Sequence, residues 1–309
     1  MKLVALSKRA ILASAAAVNQ HLESIKADVW CCVLPTFHVG GLGIHARAHL
    51  SGARVVSMPW SAAEFAKTCA NENVTLSALV PAQVHDLVAA GLTAPTSLRS
   101  IVIGGAALPA DLHAAAWDLG WPVLPSYGMS ECCSQVATAL GRSREMILLP
   151  HLDARAEADG LLAFRGSSLL TGYCLFDDHG KATFVDPKID GWFVSEDEGE
   201  VEGRVLRMSG RRGELVKIGG ESVDLRRLDA IVDEIARHEG ADAAVVPVAD
   251  RRLGHVIHLV VTARAYAIRD AFNGCVLPFE RARAVHTVDA IPRSSVGKLL
   301  RKRLTELVL

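Results

Sequence analysis

Apolar and polar positions fall into two textures along the chain, with a change near residue 150. Behind Ser7, which can cap a first turn, Ile11, Ala15, Val18 and Leu22 recur at helical spacing and predict an amino-terminal helix. DVWCCVLP (28–35) is a continuous apolar run stopped by Pro35, the pattern of a strand buried on both faces, and GARVVSMP (52–59) repeats it. SAAEFAKTCANENV (61–74) predicts a capped helix leading into the strand TLSALVP (75–81). SLRSIVIGGAAL (97–108) runs from strand into a glycine turn, and PADLHAAAWDLG (109–120) is a helix closed by glycine. This alternation predicts an α/β fold, a mainly parallel sheet covered by helices on both faces.

Beyond residue 150 the segments shorten and carry turn signals, as in ADGLLAFRG, TGYCLFDDHGK and DGWFVSEDEGEVEG. They predict a β-rich part, barrel-like or a meander. Glycine and charge cluster in SGRRGELVKIGGESVD (209–224), which marks a boundary. Past it come a helix (LRRLDAIVDEIARH), two strands (DAAVVPV and HVIHLVVTA) and a basic terminal helix. The expectation is a large domain over residues 1–210 and a smaller α+β domain over 211–309.

Composition narrows the function classes. A net charge of -1 over 309 residues gives no footprint for nucleic acid or an acidic membrane. No stretch reaches the roughly 18 apolar residues of a membrane span. The segment MKLVALSKRAILASAAAVNQ has basic, apolar and small residues in the manner of a secretory leader. Its basic pair, Lys8 and Arg9, follows an apolar start and its apolar core is short, so the helix is the better reading. Seven cysteines (31, 32, 69, 132, 133, 174 and 275) show no pattern and fit a reducing cytoplasm rather than a disulfide framework. The adjacent Cys132 and Cys133 lack the spacing of a metal-binding pair and read as small buried hydrophobes.

Singly, the polar candidates are ambiguous. The turn Gly104-Gly105-Ala106 after a strand lets backbone approach a ligand closely, yet many strand ends carry glycine for turn geometry. His38 precedes a glycine pair at a strand end; a lone histidine is more often structural. Glu131, in SYGMSECCSQ (126–135), is a carboxylate that can hold a hard cation, and Tyr127 offers a flat face to a purine. Asp197 can accept from a ribose or be a solvated turn acid. Lys298, after a glycine and before a helix, can stabilise developing negative charge or lie on a basic surface.

In order and spacing these segments resemble the acyl-adenylate-forming superfamily of acyl-CoA synthetases, and within it the o-succinylbenzoate–CoA ligases of menaquinone biosynthesis. LPTFHVGGLGI looks like the acyl-pocket motif, and the resemblance implies that His38 lines or gates the carboxylate site. SIVIGGAAL is similar to the loop flanking adenine and acyl group, which implies contacts from Gly104, Gly105 and Ala106. SYGMSECCSQVAT resembles the Tyr-Gly-x-Thr-Glu motif: Ser126, Tyr127 and Gly128 would meet the nucleotide, Ser130 would replace threonine near phosphate, and Glu131 would bind Mg2+. DGWFVSEDEGEV implies Asp197 on the ribose, and SGRRGELVKIGGE implies Arg211 on ribose or phosphate. In the same segment Gly213, Lys217, Gly219 and Gly220 would form the hinge and the face turned to CoA. IPRSSVGKLLRKRL implies that Lys298 aids adenylate formation. Arg47 lies nine residues after His38, where o-succinylbenzoate ligases also place an arginine, and a guanidinium suits a second substrate carboxylate.

The resemblance thus implies ATP, Mg2+ and CoA with a small carboxylic acid, and a mobile carboxy-terminal domain. It also implies a partial large domain: the phosphate loop that ends in Pro-Lys in the superfamily would leave only Lys2 here. A truncated chain, a separately encoded amino-terminal part and a homo-oligomer are all compatible with that. Alternatives are another aryl or fatty acid as substrate, or a non-catalytic fragment binding adenylate or a partner. Gly213 stands where the family has its hinge Asp or Lys, and Arg227 replaces an acid after ESVD.

Overall fold

A computed structural model describes residues 2–176, 180–211, 215–293 and 299–309. The chain divides into two compact units, Met1–Arg212 and Gly213–Leu309.

The first unit opens with a strand, β1 (Lys2–Ala5), and then α1 (Lys8–Leu22). Ser7 caps that helix as its sequence suggests, accepting from the Ala10 N–H at 3.0 Å, and Ala15, Val18 and Leu22 are buried. There follow β2 (Val29–Cys32), α2 (Val39–Ser51), β3 (Arg54–Ser57), α3 (Ala62–Asn71), β4 (Leu76–Leu79) and α4 (Pro81–Ala89). Next come β5 (Ser100–Ile103), α5 (Ala110–Asp118) and β6 (Val123–Met129). Ser61, placed to cap α3, makes no side-chain cap bond. β3, β2, β4, β5 and β6 lie side by side and parallel. One face carries α3, α4 and α5 through Phe65, Cys69, Val84, Leu87 and Leu112. The other carries α1 and α2 through Val18, Leu22, Ile44 and Ala48.

The β-rich part consists of β7 (Ser134–Thr138), β8 (Met146–Leu148), β9 (Leu152–Ala156), β10 (Leu161–Gly166), β11 (Gly172–Phe176), β12 (Ala182–Val185), β13 (Phe193–Glu202) and β14 (Val205–Arg211). It does not form the barrel-like body its texture suggests. Six of these strands extend the same sheet, in the order β3-β2-β4-β5-β6-β7-β8-β14-β13-β10-β9. Among the described residues β9 pairs only with β10, so the sheet stays open and the β-rich part is a meander. β1, β11 and β12 make a small separate antiparallel sheet. The change from parallel to antiparallel at β6 follows from the links: helical crossovers up to β6, short turns after it.

The second unit holds β15 (Leu215–Ile218), β16 (Glu221–Asp224), α6 (Leu225–His238), β17 (Ala243–Asp250), β18 (Gly254–Val261), α7 (Ala265–Cys275), β19 (Ala282–Thr287) and α8 (Arg301–Glu306). Its strands run β16-β15-β18-β17, with β19 parallel to β18. α6 and α7 pack Leu228, Val232, Ile268 and Phe272 onto one face, and Leu304 of α8 packs with Ala244, Val246 and Val260 on the other. Asp224 caps α6, and Arg227, whose role the sequence leaves open, pairs with Glu280.

His151, between β8 and β9, has both ring nitrogens buried with no hydrogen-bond partner. Burial, then the Arg204 charge, pushes its pKa down to about 4 from 6.5. The folded state therefore keeps it neutral while the unfolded chain binds a proton below pH 6.5. Its contribution is present above pH 6.5 and is lost as pH falls from 6.5 towards 4. Stability is expected to drop by up to about 3 kcal/mol over that window through this group, and urea denaturation of His151→Phe should show a visibly flatter acid limb than the parent.

Candidate active site

The parallel strands β2, β4, β5 and β6 point their carboxyl ends the same way, so the loops leaving β2 and β5 and the end of β6 lie at one end of the sheet. Those segments hold His38, Gly104 to Ala106, and Ser126 to Gly128. In open α/β sheets this is the end at which ligands bind. At the opposite end the buried Asp28 carboxylate takes bonds from Arg99 Nη2 (2.7 Å), Thr75 Oγ1 (2.7 Å) and the Ile25 N–H (2.8 Å). Burial alone would raise its pKa, but these donors hold it below the usual carboxylate range.

Tyr127 and Asp197 meet directly. The tyrosine hydroxyl donates to Asp197 Oδ2 at 2.7 Å across 70 residues of sequence. Asp197 is buried on β13; its N–H donates to Ser195 Oγ (3.1 Å), and that hydroxyl donates to the Leu162 carbonyl (2.9 Å). Tyr127 also packs against Phe164, ring centroids 6.0 Å apart. Burial, then the Asp197 charge, holds the Tyr127 hydroxyl well above the ordinary phenol range, so it stays a donor near neutral pH.

Glu131 sits in the short turn Ser130–Cys132 and takes a 3.0 Å bond from the Tyr173 hydroxyl of β11 on one carboxylate oxygen. Its backbone carbonyl accepts from the Leu170 N–H at 2.7 Å. No group of three or more His, Cys, Asp or Glu placed to hold a metal ion by itself occurs among the described residues. A single carboxylate is what Mg2+ commonly takes from a protein when phosphates and water supply its other ligands, so Glu131 fits that ion. Cys132 is fully buried, and burial, then the Glu131 charge, keeps its thiol protonated. It packs and is no nucleophile.

On the other side of the same turn stands Arg47 of α2. It is 2% exposed, its Nη2 donates to Ser134 Oγ at 3.2 Å, its Cζ lies 5.6 Å from the Trp30 ring centre, and its Nε has no partner. Burial lowers its pKa to about 10, so it remains a cation at neutral pH. No described carboxylate forms an ion pair with it.

The remaining sequence candidates take these places. His38 is exposed and caps α2, its Nδ1 accepting from the Gly40 N–H at 3.2 Å. Gly104 donates its N–H to the Leu79 carbonyl, and a Cβ on it would meet nothing within 4 Å; Gly105 has φ +85° and Ala106 follows. Gly128 carries no Cβ because one would lie 1.9 Å from the Ser134 carbonyl oxygen. Ser126 is engaged between β6 and β7, donating to the Ala137 carbonyl and accepting from Thr138 Oγ1. The Ser130 carbonyl accepts from the Cys133 N–H. Arg211 ends β14 opposite Asp197 in the register. In the second unit Lys217 is on β15, and Gly219 and Gly220, φ +60° and +96°, make its turn into β16. Gly213 and Lys298 lie outside the described residues.

Tyr173, Ser195, Ser134 and Trp30 were not among the sequence candidates. One signal was available: the chain has three tyrosines, and two of them, Tyr127 and Tyr173, donate to the site's carboxylates.

An open sheet with polar side chains gathered at the carboxyl ends of its parallel strands has the layout with which α/β proteins bind ligands, nucleotides among them. Residues 1–173 match the family model of the AMP-binding enzymes, and the chain belongs to that family. The 2-succinylbenzoate–CoA ligase of Staphylococcus epidermidis is 30% identical over 95% of this chain and 64% of its own length. The chain thus spans just under two thirds of that relative. Among solved structures, a double mutant of o-succinylbenzoate CoA synthetase from Bacillus subtilis, bound with a product analogue, superposes with a TM-score of 0.85 at 23% identity, over 98% of this chain and 66% of that one. That likeness is one of fold. Wild-type o-succinylbenzoate CoA synthetase of E. coli gives 0.61 at 26% identity, over 99% and 66%.

Tyr127→Phe leaves the buried Asp197 one donor short and is expected to cost about 1–3 kcal/mol of stability. Urea unfolding of Tyr127→Phe, Asp197→Asn and the double variant should give a coupling energy above about 0.5 kcal/mol; additive effects would mean the bond is not formed in solution.

Proposed function

We propose that the chain carries the site of an AMP-forming acid–CoA ligase, and that its acid is o-succinylbenzoate or a close dicarboxylate. The observation that carries this reading is the Tyr127–Asp197 bond: two segments 70 residues apart, each similar to a nucleotide-contact motif of the family, form one polar wall. The likeness to 2-succinylbenzoate–CoA ligases along nearly the whole chain supports the choice of acid.

In this reading one substrate carboxylate attacks the α-phosphorus of ATP, giving an acyl-adenylate and pyrophosphate; the thiol of CoA then attacks the acyl carbon and AMP leaves. The adenine would lie against Tyr127 and the Gly104–Ala106 turn, whose open Gly104 leaves room for a flat ring. Asp197 would accept from the ribose hydroxyls, with Arg211 opposite it. Glu131, held by Tyr173, would carry Mg2+, which supplies charge neutralisation at the phosphates. His38 at the start of α2 would border the reacting carboxylate, and Lys298 would stabilise charge on the oxygens during adenylation. Seven unpaired cysteines fit work in a reducing cytoplasm.

Arg47 supports a substrate that keeps a second carboxylate. A buried guanidinium without an acid costs desolvation energy, and a ligand carboxylate can supply the missing counter-charge. Arg47→Met should therefore melt no lower than the parent without ligand, because a desolvated charge is removed, while its KM for o-succinylbenzoate rises at least tenfold.

The first assay combines the 309-residue chain with ATP, Mg2+, CoA and o-succinylbenzoate, and follows adenylate and thioester by mass spectrometry. Thioester above the enzyme-free control is expected; neither product under saturating conditions would overturn the ligase reading for this chain. Lys298→Ala should slow adenylation by a hundredfold or so while sparing thioester formation from preformed adenylate. Equal losses in both steps would remove that role.

A further inference from the structure

The turn that carries Glu131 ends in two consecutive non-glycine residues with positive φ: Cys133 at +59° and Ser134 at +123°. The first lies in the left-handed region that small or polar residues visit at modest cost. The second lies where glycine is the ordinary occupant, and such positions persist when the surroundings fix them. What this backbone achieves locally is specific. It aims the Ser134 hydroxyl at Arg47 Nη2, 3.2 Å away, while the Ser134 carbonyl presses against Gly128 where a Cβ would stand. Close beside that contact, a Cβ added to Gly43 would lie 3.0 Å from the same Nη2 and 3.6 Å from Ser134 Oγ. Arg47 is thus confined by Ser134, by the bare backbone of Gly43 and by the face of Trp30 at 5.6 Å, and its buried Nε has no hydrogen-bond partner.

We infer that Ser134 is a positioning residue for substrate selection: its hydroxyl, with Gly43 leaving the space, fixes the Arg47 guanidinium to take the second carboxylate of a dianionic acid. The inference rests on the ligase reading above. Arg47 touches the ligand; Ser134 acts through Arg47. A guanidinium tethered at one Nη keeps its plane, so the remaining N–H groups can pair with a carboxylate without first losing rotamer freedom. A plain structural role for Ser134 makes a different prediction. A side chain that served only to complete the turn would gain from being glycine, with no effect on which acid is preferred.

The test uses two acids, o-succinylbenzoate and 4-oxo-4-phenylbutanoate, which is the same skeleton without the ring carboxylate. Steady-state kinetics for the full chain give kcat and KM for each; the shift in melting temperature with each acid gives binding without turnover. Wild type should prefer the diacid. Ser134→Gly should fold at least as well as wild type, because glycine is at ease at φ +123°. Its KM for the diacid should rise about tenfold with kcat little changed, and its KM for the monoacid should stay within twofold. Gly43→Ala, whose Cβ would stand 3.0 Å from Nη2 and in van der Waals contact with Ser134 Oγ at 3.6 Å, should erode the same preference. If wild type itself shows no preference for the diacid, in rate or in melting shift, the dicarboxylate reading fails and the inference with it. A wild-type preference that Ser134→Gly retains in full would overturn the role of Ser134 alone.

Discussion

The site depends on the way β6 is paired. Along one edge it is parallel to β5, closing a sheet whose helices cover both faces; along the other it is antiparallel to β7, which begins only a few residues after it. The chain must therefore reverse at once, and it does so through Ser130–Cys132 and two residues of positive φ. The strands come so close that a side chain on Gly128 would overlap the Ser134 carbonyl. That reversal sets Tyr127, Glu131 and Ser134 within one short stretch, each aimed at a different partner.

The electrostatics follow from this crowding. Burial and neighbouring carboxylates keep the hydroxyls of Tyr127 and Tyr173 and the thiol of Cys132 protonated. Two of these groups, the tyrosine hydroxyls, serve as donors to Asp197 and Glu131. Arg47, on the other side of the turn, is a cation that the protein leaves without an acid. Buried charges are normally paired or traded for apolar groups. One that is neither is a place where a ligand can complete the structure.

In the β-rich part the local pattern sets the elements but leaves two assemblies open, a barrel-like body and a meander, of which the structure takes the second. The short strands with turn signals after residue 150 are there. Yet β8, β14, β13, β10 and β9 continue the eleven-stranded sheet instead of curling into a body of their own. Turn spacing reports strand length and reversal but not which distant strand completes an edge. The pairing of β1 with β11 is of the same kind, since the two are separated by most of the large unit.

By itself the sequence determined many of the elements, though not β1, α2, α4, α7 or β19, and it nominated the candidate chemistry-bearing segments. Helical spacing behind Ser7, apolar runs stopped by Pro35 and Pro81, and glycine turns are local, and each is fixed by backbone sterics and by which face must be buried. His38, Gly104, Tyr127, Glu131, Asp197 and Arg47 were legible because their segments resemble a known set of motifs in order. Only the tertiary structure decided that Tyr127 bonds Asp197, that Tyr173 holds Glu131, and that Arg47 lies buried against Trp30 beside Ser134. These contacts join residues far apart in the chain, and hydrogen bonding and desolvation act through space, so no local pattern records them.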